Sequence, residues 1–196
     1  NHTTEARQIM NAALTPNPSE YTSVIVANST LTQLMNDGLV RPLNDLVENA
    51  LKIHAPGFEK NHITIFRDYV DLPQVITDKQ QVLQILANLI RNAKHAIRLH
   101  DQGPHNLTIQ IQPHPQEDTR ICIQVIDTGI GIPTENLHRI FAQSFSKKNL
   151  GQGTGLHSNA LAAKNLGGSL TASSEGKGHG ATFTLELPVK FMEIPA

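Results

Sequence analysis

Two asparagines four residues apart, Asn88 and Asn92, lie in a segment with helical periodicity. Residues at this spacing project from one face of a helix, and Gln81 and His95 extend the polar stripe beside the apolar face. A polar stripe at the border of a buried face can line a cleft. The alternative is a pair of solvated surface residues, which the low helix propensity of asparagine makes less favourable without excluding it.

An acidic residue, Asp127, follows a predicted buried strand and precedes Gly129 and Gly131. Glycine lets the backbone approach a ligand closely because it carries no side chain. An acid supported by such backbone at a strand end is typical of a binding loop. An ordinary turn is the alternative, since Asp and Gly are also common in turns.

A glycine-rich stretch from Gly151 to Gly155 leads into a predicted helix that begins at Leu156. Free backbone N–H groups and the positive end of the helix dipole suit a phosphate at such a position. The stretch is not a Walker A loop, because no Gly-Lys-Ser/Thr sequence occurs there. Gly129-x-Gly131 also lacks the third glycine of a dinucleotide-binding loop.

The composition predicts a folded segment without a strong overall charge. The 196 residues include 16 basic and 17 acidic ones, which argues against nucleic-acid binding through a basic field and against polybasic membrane association. Hydrophobic residues make up 39% and aromatic residues 4%, which predicts a core of Leu, Ile, Val and Ala. No apolar run approaches the ~20 residues that a membrane-spanning helix needs.

The single cysteine, Cys122, excludes an intrachain disulfide and suits a reducing compartment. The sequence starts at Asn1 without a signal peptide. These features predict a cytoplasmic fragment of a longer soluble or cytosol-facing protein.

The periodic segments predict an α+β fold in which helices cover one face of a mixed, mostly antiparallel sheet. Less regular helical patterns occur at 4–14 and 31–35, separated by Pro16 and Pro18. The later predicted elements are a helix from Leu39 to Pro56-Gly57, a strand at 62–70, a helix at 77–99, strands at 107–111 and 121–125, a helix at 156–166, and strands at 169–174 and 181–187.

The helix at 77–99 has the clearest pattern. Thr77 and Gln80 have the spacing of a capping box at its start. The predicted buried face consists of apolar residues at helical spacing, namely Val82, Ile85, Leu86, Leu89, Ile90, Ala93 and Ile97.

Taken in order, the polar motifs resemble those of the ATP-binding domain of sensor histidine kinases, within the wider family that includes DNA gyrase, heat-shock protein 90 and mismatch-repair ATPases. The resemblance extends from Leu39 to Val189 and implies the two-layer α/β sandwich known as the Bergerat fold. It is carried by Asn88–Ala93 (the N box), Asp127–Gly131 (the first glycine box), Ile140–Lys148 (the phenylalanine box), Gly151–Gly155 (the second glycine box), and the closing segments 166–170, 174–176 and 180–183.

The resemblance implies that ATP and Mg²⁺ bind here. Asn92 would coordinate the metal and, with Asn88, form the catalytic pair, while Asp127 would accept from the adenine amino group and Thr182 would help to hold adenine. The loop 141–155 would act as a nucleotide lid. The other implied ATP-binding residues are His95, Gly129, Gly131, Ile132, Phe141, Lys147, Lys148, Gly151, Gly153, Thr154, Gly155, Leu156 and His157.

Three positions depart from related patterns. Asn88 stands where gyrase-like ATPases have a glutamate that activates water, and an amide cannot act as a general base. His95 replaces a lysine found in many kinases, and the second glycine box has the shorter Gly-Thr-Gly-Leu-His form. Asn88 disfavours an ATP-hydrolysing clamp. His95 and the shorter glycine box leave a degenerate or nucleotide-sensing, non-catalytic module as the alternative to a kinase domain.

The resemblance divides the chain into a linker or remnant of a helical dimerisation and phosphoacceptor region (1–38), the ATP-binding catalytic domain (39–190) and a tail (191–196). Neither His2 nor His54 has the context of a phosphoacceptor, so the acceptor is expected outside this chain. The implied partners are that helical domain and the receiver domain of a response regulator in a phosphorelay. Neither nucleic acid nor direct membrane insertion is expected, and the location is cytoplasmic, including the cytosolic portion of a membrane-bound sensor.

The ten histidines do not show the spacing of a metal site. His95, His100 and His105 are five residues apart, which places successive helical positions on different faces. With one cysteine and no paired ligands, the sequence disfavours structural zinc.

Overall fold

The computed structural model describes residues 40–41, 43–70, 75–101, 103–142, 155–188 and 190–191. The chain divides into two compact units, 1–40 and 41–196, and all described residues except Val40 belong to the second. The helical patterns expected at 4–14 and 31–35 lie outside the described residues, as does most of the loop from Phe141 to Gly155. No helix in the described part of the chain has the length and hydropathy needed to cross a membrane.

Five strands form the main sheet in the order β2-β4-β5-β7-β6, in which β2 is parallel to β4 and the other pairs are antiparallel. Separately, β3 pairs antiparallel with β8. The elements in chain order are β1 (Val40–Arg41), α1 (Leu43–Lys60), β2 (Thr64–Tyr69), β3 (Val75–Ile76), α2 (Lys79–Arg98), β4 (Asn106–Pro113), β5 (Arg120–Asp127), a 3-10 helix (Thr134–Asn136), α3 (Gly155–Asn165), β6 (Ser169–Ser173), β7 (Ala181–Pro188) and β8 (Lys190–Phe191).

Helix α2 lies at the centre of the helical layer and contacts α1, α3 and the strands β4 and β5. All seven residues predicted for its buried face are fully buried. Full burial of one Leu or Ile side chain contributes roughly 1.5–3 kcal/mol, so this face stabilises the whole domain. The predicted α+β architecture and mixed, mostly antiparallel sheet are confirmed.

The prediction that α1 ends at Pro56-Gly57 is wrong, because the helix continues to Lys60 with Pro56 inside it. Proline removes one helical hydrogen bond and strains the preceding turn. The turn that follows buries Phe58, which is 6% exposed, in the core. Burial of this ring offsets the cost of the proline and keeps the helix intact.

The start of α2 is also displaced from its predicted position. Asp78, not Thr77, is the N-cap residue: Asp78 Oδ1 accepts the Gln81 N–H over 3.2 Å, and Gln81 Nε2 donates to Asp78 Oδ2 over 2.9 Å. The sequence contains two overlapping capping-box patterns, Thr77–Gln80 and Asp78–Gln81, and the second forms the cap of α2. Asp is at least as good a cap as Thr.

Alternation along β5 and β7 places one side of each strand in the core. In β7 the residues Ala181, Phe183, Leu185 and Leu187 are buried, whereas the residues between them are partly exposed on the opposite face of the sheet. The β4–β5 hairpin, with Leu107 opposite Asp127, confirms the predicted pairing of these strands. Asp127 consequently ends β5 on the face covered by helices.

Candidate functional site

A cavity of about 770 Å³ opens between the end of α1, the C-terminal half of α2, the end of β5 and the starts of α3 and β7. Many residues singled out from the sequence meet there although they are far apart in the chain. Those lining it are Asn92, His95, Asp127, Gly131, Ile132, Gly155 and Leu156.

Asp127 is the buried acid of this cavity and is 4% exposed. Burial raises its pKa to about 6, although hydrogen bonds from the backbone of Gly129 and Ala181 favour the ionised form. The Gly129 N–H donates to Oδ1 over 2.8 Å. The ionised carboxylate can accept further hydrogen bonds, so it is suited to a ligand that presents an amino group.

The loop after Asp127 is fixed by backbone contacts with the loop between β6 and β7. Gly180 N–H donates to Gly129 O over 3.0 Å, and Ile132 N–H donates to Ser174 Oγ over 3.0 Å. Gly131 has φ +70°, and a Cβ atom there would lie 2.0 Å from Gly176 O. Glycine is therefore required at 131 by both conformation and space.

The two asparagines of α2 occupy different surroundings. Asn92 lines the cavity. Asn88 does not, but its Nδ2 donates to Asn159 Oδ1 of α3 over 3.0 Å. A Cβ atom on Gly155 would lie 3.6 Å from Asn88 Cγ, so Asn88 lies directly behind the start of α3.

His95 lines the cavity as a neutral imidazole. Burial lowers its pKa, and the charge of Arg98 lowers it further. Arg98 Nη2 lies 3.1 Å from His95 Nδ1, and since a guanidinium can only donate, Nδ1 must be the acceptor. The ring hydrogen is then on Nε2, available as a donor.

Four cationic side chains that were not predicted from the sequence also line the cavity: Lys60, Arg91, Lys94 and Arg98. Among the described residues, none of them is ion-paired with an acid. Arg91, Lys94 and Arg98 are three and four positions apart on α2, so they share one face of the helix. This spacing is the sequence signal that could have identified them. Together these side chains favour binding of a polyanion.

Helix α3 begins at the cavity with Gly155, followed by Leu156. A Cβ atom on Gly155 would lie 3.4 Å from Arg91 Nη2, so a guanidinium stands beside the first N–H groups of this helix, which have no partner within the helix itself. His157 Nδ1 donates to Phe141 O over 2.9 Å and links the two ends of the intervening loop. The predicted site residues Lys147, Lys148, Gly151, Gly153 and Thr154 lie outside the described residues.

Thr182 does not line the cavity, contrary to the role predicted for it. The alternation of β7 puts its side chain on the opposite face of the sheet, whereas Ala181 and Phe183 line the cavity. The Ala181 N–H, which contacts the Asp127 carboxylate, is the group that β7 contributes. Three further predicted residues lie outside the cavity lining. Gly129 donates its N–H to Asp127, and His157 donates to the carbonyl oxygen of Phe141.

The donor set of the cavity fits a hard cation at Asn92, because a neutral carboxamide oxygen is a ligand that Mg²⁺ accepts. Elsewhere, His114, Cys122 and Glu186 place one potential ligand atom each within 4.8 Å of one another. The Gln116 N–H donates to His114 Nδ1 over 3.2 Å, which leaves the hydrogen of the neutral ring on Nε2. To bind a metal, Nε2 must carry no hydrogen, so the ring hydrogen would have to be on Nδ1 and donate to an acceptor there. Nδ1 instead faces a donor, so this cluster is poorly arranged for a metal.

Comparisons with known proteins agree with this geometry. A family model described as histidine kinase-, DNA gyrase B-, and HSP90-like ATPase matches residues 77–190. The chain is 39% identical over 121 residues to the aerobic respiration control sensor protein ArcB of Escherichia coli, covering 58% of this chain and 14% of ArcB. It is 34% identical over 149 residues to the sensor histidine kinase ZraS of Salmonella typhimurium, covering 75% of this chain and 30% of ZraS.

The chain thus spans less than a third of the length of these relatives. The structure of the catalytic domain of histidine kinase ThkA superposes with a TM-score of 0.65 at 23% identity, covering 76% of this chain and 93% of that domain. This likeness shows a shared fold. Because the family model matches more than half of the chain, this protein is a nucleotide-binding domain that belongs to the family of histidine kinase-, DNA gyrase B- and HSP90-like ATPases.

Proposed function

We propose that this chain binds Mg²⁺-ATP in the described cavity and donates the γ-phosphoryl group to a histidine on a separate helical domain, for relay to the receiver domain of a response regulator. In this proposal residues 39–190 are the catalytic domain, 1–38 connect it to the helical region, 191–196 are a tail, and the location is cytoplasmic. The sensor-kinase relatives support the proposal.

The observation that carries this proposal is that the Asp127 loop and the start of α3 contact α2 at two different points along its length. The Asp127 loop meets α2 at its C-terminal end, where a Cβ on Gly129 would touch Ala96. The start of α3 meets α2 beside Arg91 and Asn88. At 1.5 Å per residue these points are about 8–12 Å apart along the helix, which leaves room for a base at one end and phosphates at the other.

Each end suits one part of ATP. The Asp127 carboxylate would accept from the adenine amino group, with Gly131 allowing the base to approach the backbone. The α3 N-terminus, Arg91 and the His95 Nε2–H would donate to phosphate oxygens. Asn92 would supply a carboxamide oxygen to Mg²⁺, which when bound neutralises phosphate charge.

Catalysis in this arrangement consists of positioning and electrostatic stabilisation, as is general for phosphoryl transfer. The described cavity holds no carboxylate placed to activate water beside Asn92, because Asn88 occupies that part of α2. The nucleophile would come from the incoming histidine. Hydrolysis of ATP by the chain alone is therefore expected to be slow.

Calorimetry tests the binding step. Mg²⁺-ATP should bind to the chain, and Asp127→Asn should weaken binding and reduce discrimination against GTP, which presents an acceptor where ATP presents its amino group. Asn92→Ala should reduce the magnesium-dependent part of the affinity. Lys94→Gln should weaken ATP more than adenosine, whereas Lys52→Gln, which removes the same charge from the exposed side of α1, should change neither.

Labelled-phosphate transfer tests the chemistry. The chain alone should label itself negligibly, and a histidine-bearing helical domain added in trans or in cis should become phosphorylated in an acid-labile, base-stable form. Tight Mg²⁺-ATP binding without any transfer would favour the non-catalytic module. Absence of nucleotide binding by the folded chain would overturn both the kinase function and the non-catalytic, nucleotide-sensing function.

A further inference from the structure

A hydrogen bond between a partly buried and a buried amide joins the two helices that border the phosphate end of the cavity. Asn88 Nδ2 of α2 donates to Asn159 Oδ1 of α3 over 3.0 Å. Asn159 is 2% exposed, and its Nδ2 has no hydrogen-bond partner among the described residues. A buried polar side chain with an unsatisfied donor is costly, so this residue calls for an explanation beyond packing.

In this structure the hydrogen bond sets the Asn88 carboxamide with its nitrogen toward Asn159. Its nitrogen is engaged by Asn159, while its Oδ1 accepts no hydrogen bond from the described residues and is not sealed from solvent. Gly155, which lines the cavity, lies against Asn88. The free oxygen is therefore on the exposed side of the pair, at the border of the cavity.

The oxygen of Asn88 has a counterpart one helical turn away. Asn92 lies four residues later on the same face of α2 and lines the cavity. Two carboxamide oxygens at this spacing can serve one hard cation, whereas an amide turned by 180° would present two N–H donors to it. The orientation of the Asn88 amide then decides whether it assists or repels the cation.

We propose that Asn159 is a positioning residue that holds the Asn88 carboxamide with its oxygen toward Mg²⁺, and so couples α3 to the metal end of the nucleotide site. This inference rests on the proposed function, in which Mg²⁺-ATP occupies the cavity. Residues that orient metal ligands through hydrogen bonds affect metal affinity by about 10- to 100-fold when they are replaced.

The test compares nucleotide binding with and without Mg²⁺ by calorimetry. Asn159→Leu keeps the branched shape of the side chain, although it enlarges it, and removes the acceptor for Asn88. It should lower ATP affinity about 10- to 100-fold in Mg²⁺ and leave ATP affinity in EDTA unchanged. Asn165→Leu, at the exposed end of the same helix, should match the wild-type chain in both conditions.

A double-mutant cycle separates positioning from general damage. Since Asn159 acts through Asn88, Asn159→Leu should have no further effect on Mg²⁺-dependent affinity in the Asn88→Ala background. If Asn159→Leu lacks a cooperative thermal transition, Asn159→Ala is measured in its place with the same expectations.

Three outcomes would overturn the inference: wild-type Mg²⁺ dependence in the Asn159 variant, an equal loss in Mg²⁺ and EDTA, or an undiminished loss in the Asn88→Ala background. Failure of the wild-type chain itself to show Mg²⁺-dependent ATP binding would instead overturn the proposed function. The two failures are therefore distinguishable.

Discussion

The backbone N–H of Gly129 donates to Oδ1 of Asp127 across 2.8 Å, from a residue only two positions further along the chain. Burial raises the pKa of this carboxyl to about 6, and the bonds from Gly129 and Ala181 limit the rise. The acid thus titrates close to neutral pH at a position where its protonation state determines whether it accepts or donates a hydrogen bond.

Adenosine binding should therefore weaken as the solution is acidified. If only the ionised carboxylate accepts the amino group, affinity should fall about tenfold between about pH 7 and about pH 5, with a midpoint near the pKa of about 6. Adenosine is used because it lacks the phosphates of ATP, which titrate in the same range. Calorimetry across this range should show the slope for the wild-type chain and not for Asp127→Asn.

The same replacement should stabilise the nucleotide-free fold. The pKa of Asp127 is raised from 3.8 to about 6, so its contribution to stability is favourable below pH 3.8 and is lost as pH rises through about 6. Asp127→Asn should consequently raise the free energy of unfolding by about 1–3 kcal/mol near neutral pH. Urea unfolding at pH 7.5 and at pH 4 measures this gain, and an equal gain at both values would contradict the role of ionisation.

Gly131 should tolerate alanine far less well than Gly178. Both have positive φ, but a Cβ on Gly178 meets nothing within 4 Å, whereas one on Gly131 would collide with Gly176 O. Gly178→Ala should cost about 1–2 kcal/mol from backbone strain alone, and Gly131→Ala should cost more and also weaken nucleotide binding. Denaturant unfolding of the two variants provides the comparison, and equal costs would show that the contact can relax.

The cap of α2 offers a local test of stability. Asp78→Ala removes the acceptor for the Gln81 N–H and should cost about 1 kcal/mol. Thr77→Ala, one residue outside the cap, should change the free energy of unfolding by less than about 0.5 kcal/mol. Thermal and urea unfolding measure the free energy of unfolding of both variants. A larger loss for Thr77→Ala than for Asp78→Ala would show that Thr77 is the N-cap residue.

Predictions from the sequence succeeded where one physical cause dominated. The seven apolar residues of α2 repeat at helical spacing without interruption, and every one of them is buried. The hairpin of β4 and β5 follows from two alternating runs. In contrast, Pro56 signals the end of a helix locally, and only the distant packing of Phe58 overrides that signal.

The sequence motifs named several residues that meet at the cavity, but they did not indicate on which face of the sheet Thr182 lies or which residue packs against Asn88. Thr182 carries a suitable hydroxyl, yet a strand alternates between two faces, and a motif does not state which face a residue occupies. Asn159 lies 71 residues from Asn88 in the chain, and only the packing of α3 against α2 brings the two amides together. The cations at the cavity likewise depend on how α1 ends beside α2.

The parallel pairing of β2 with β4 has a consequence for how the domain assembles. Thr64 and its partner Asn106 are more than 40 residues apart in the chain, whereas Pro113 and Ile121 close the β4–β5 hairpin across fewer than ten residues. Closure of a long loop costs more chain entropy and slows formation of the contacts it brings together. The hairpin is therefore expected to form before β2 pairs with β4, and the amides of the β2 edge are expected to gain protection from hydrogen exchange later than those of the hairpin.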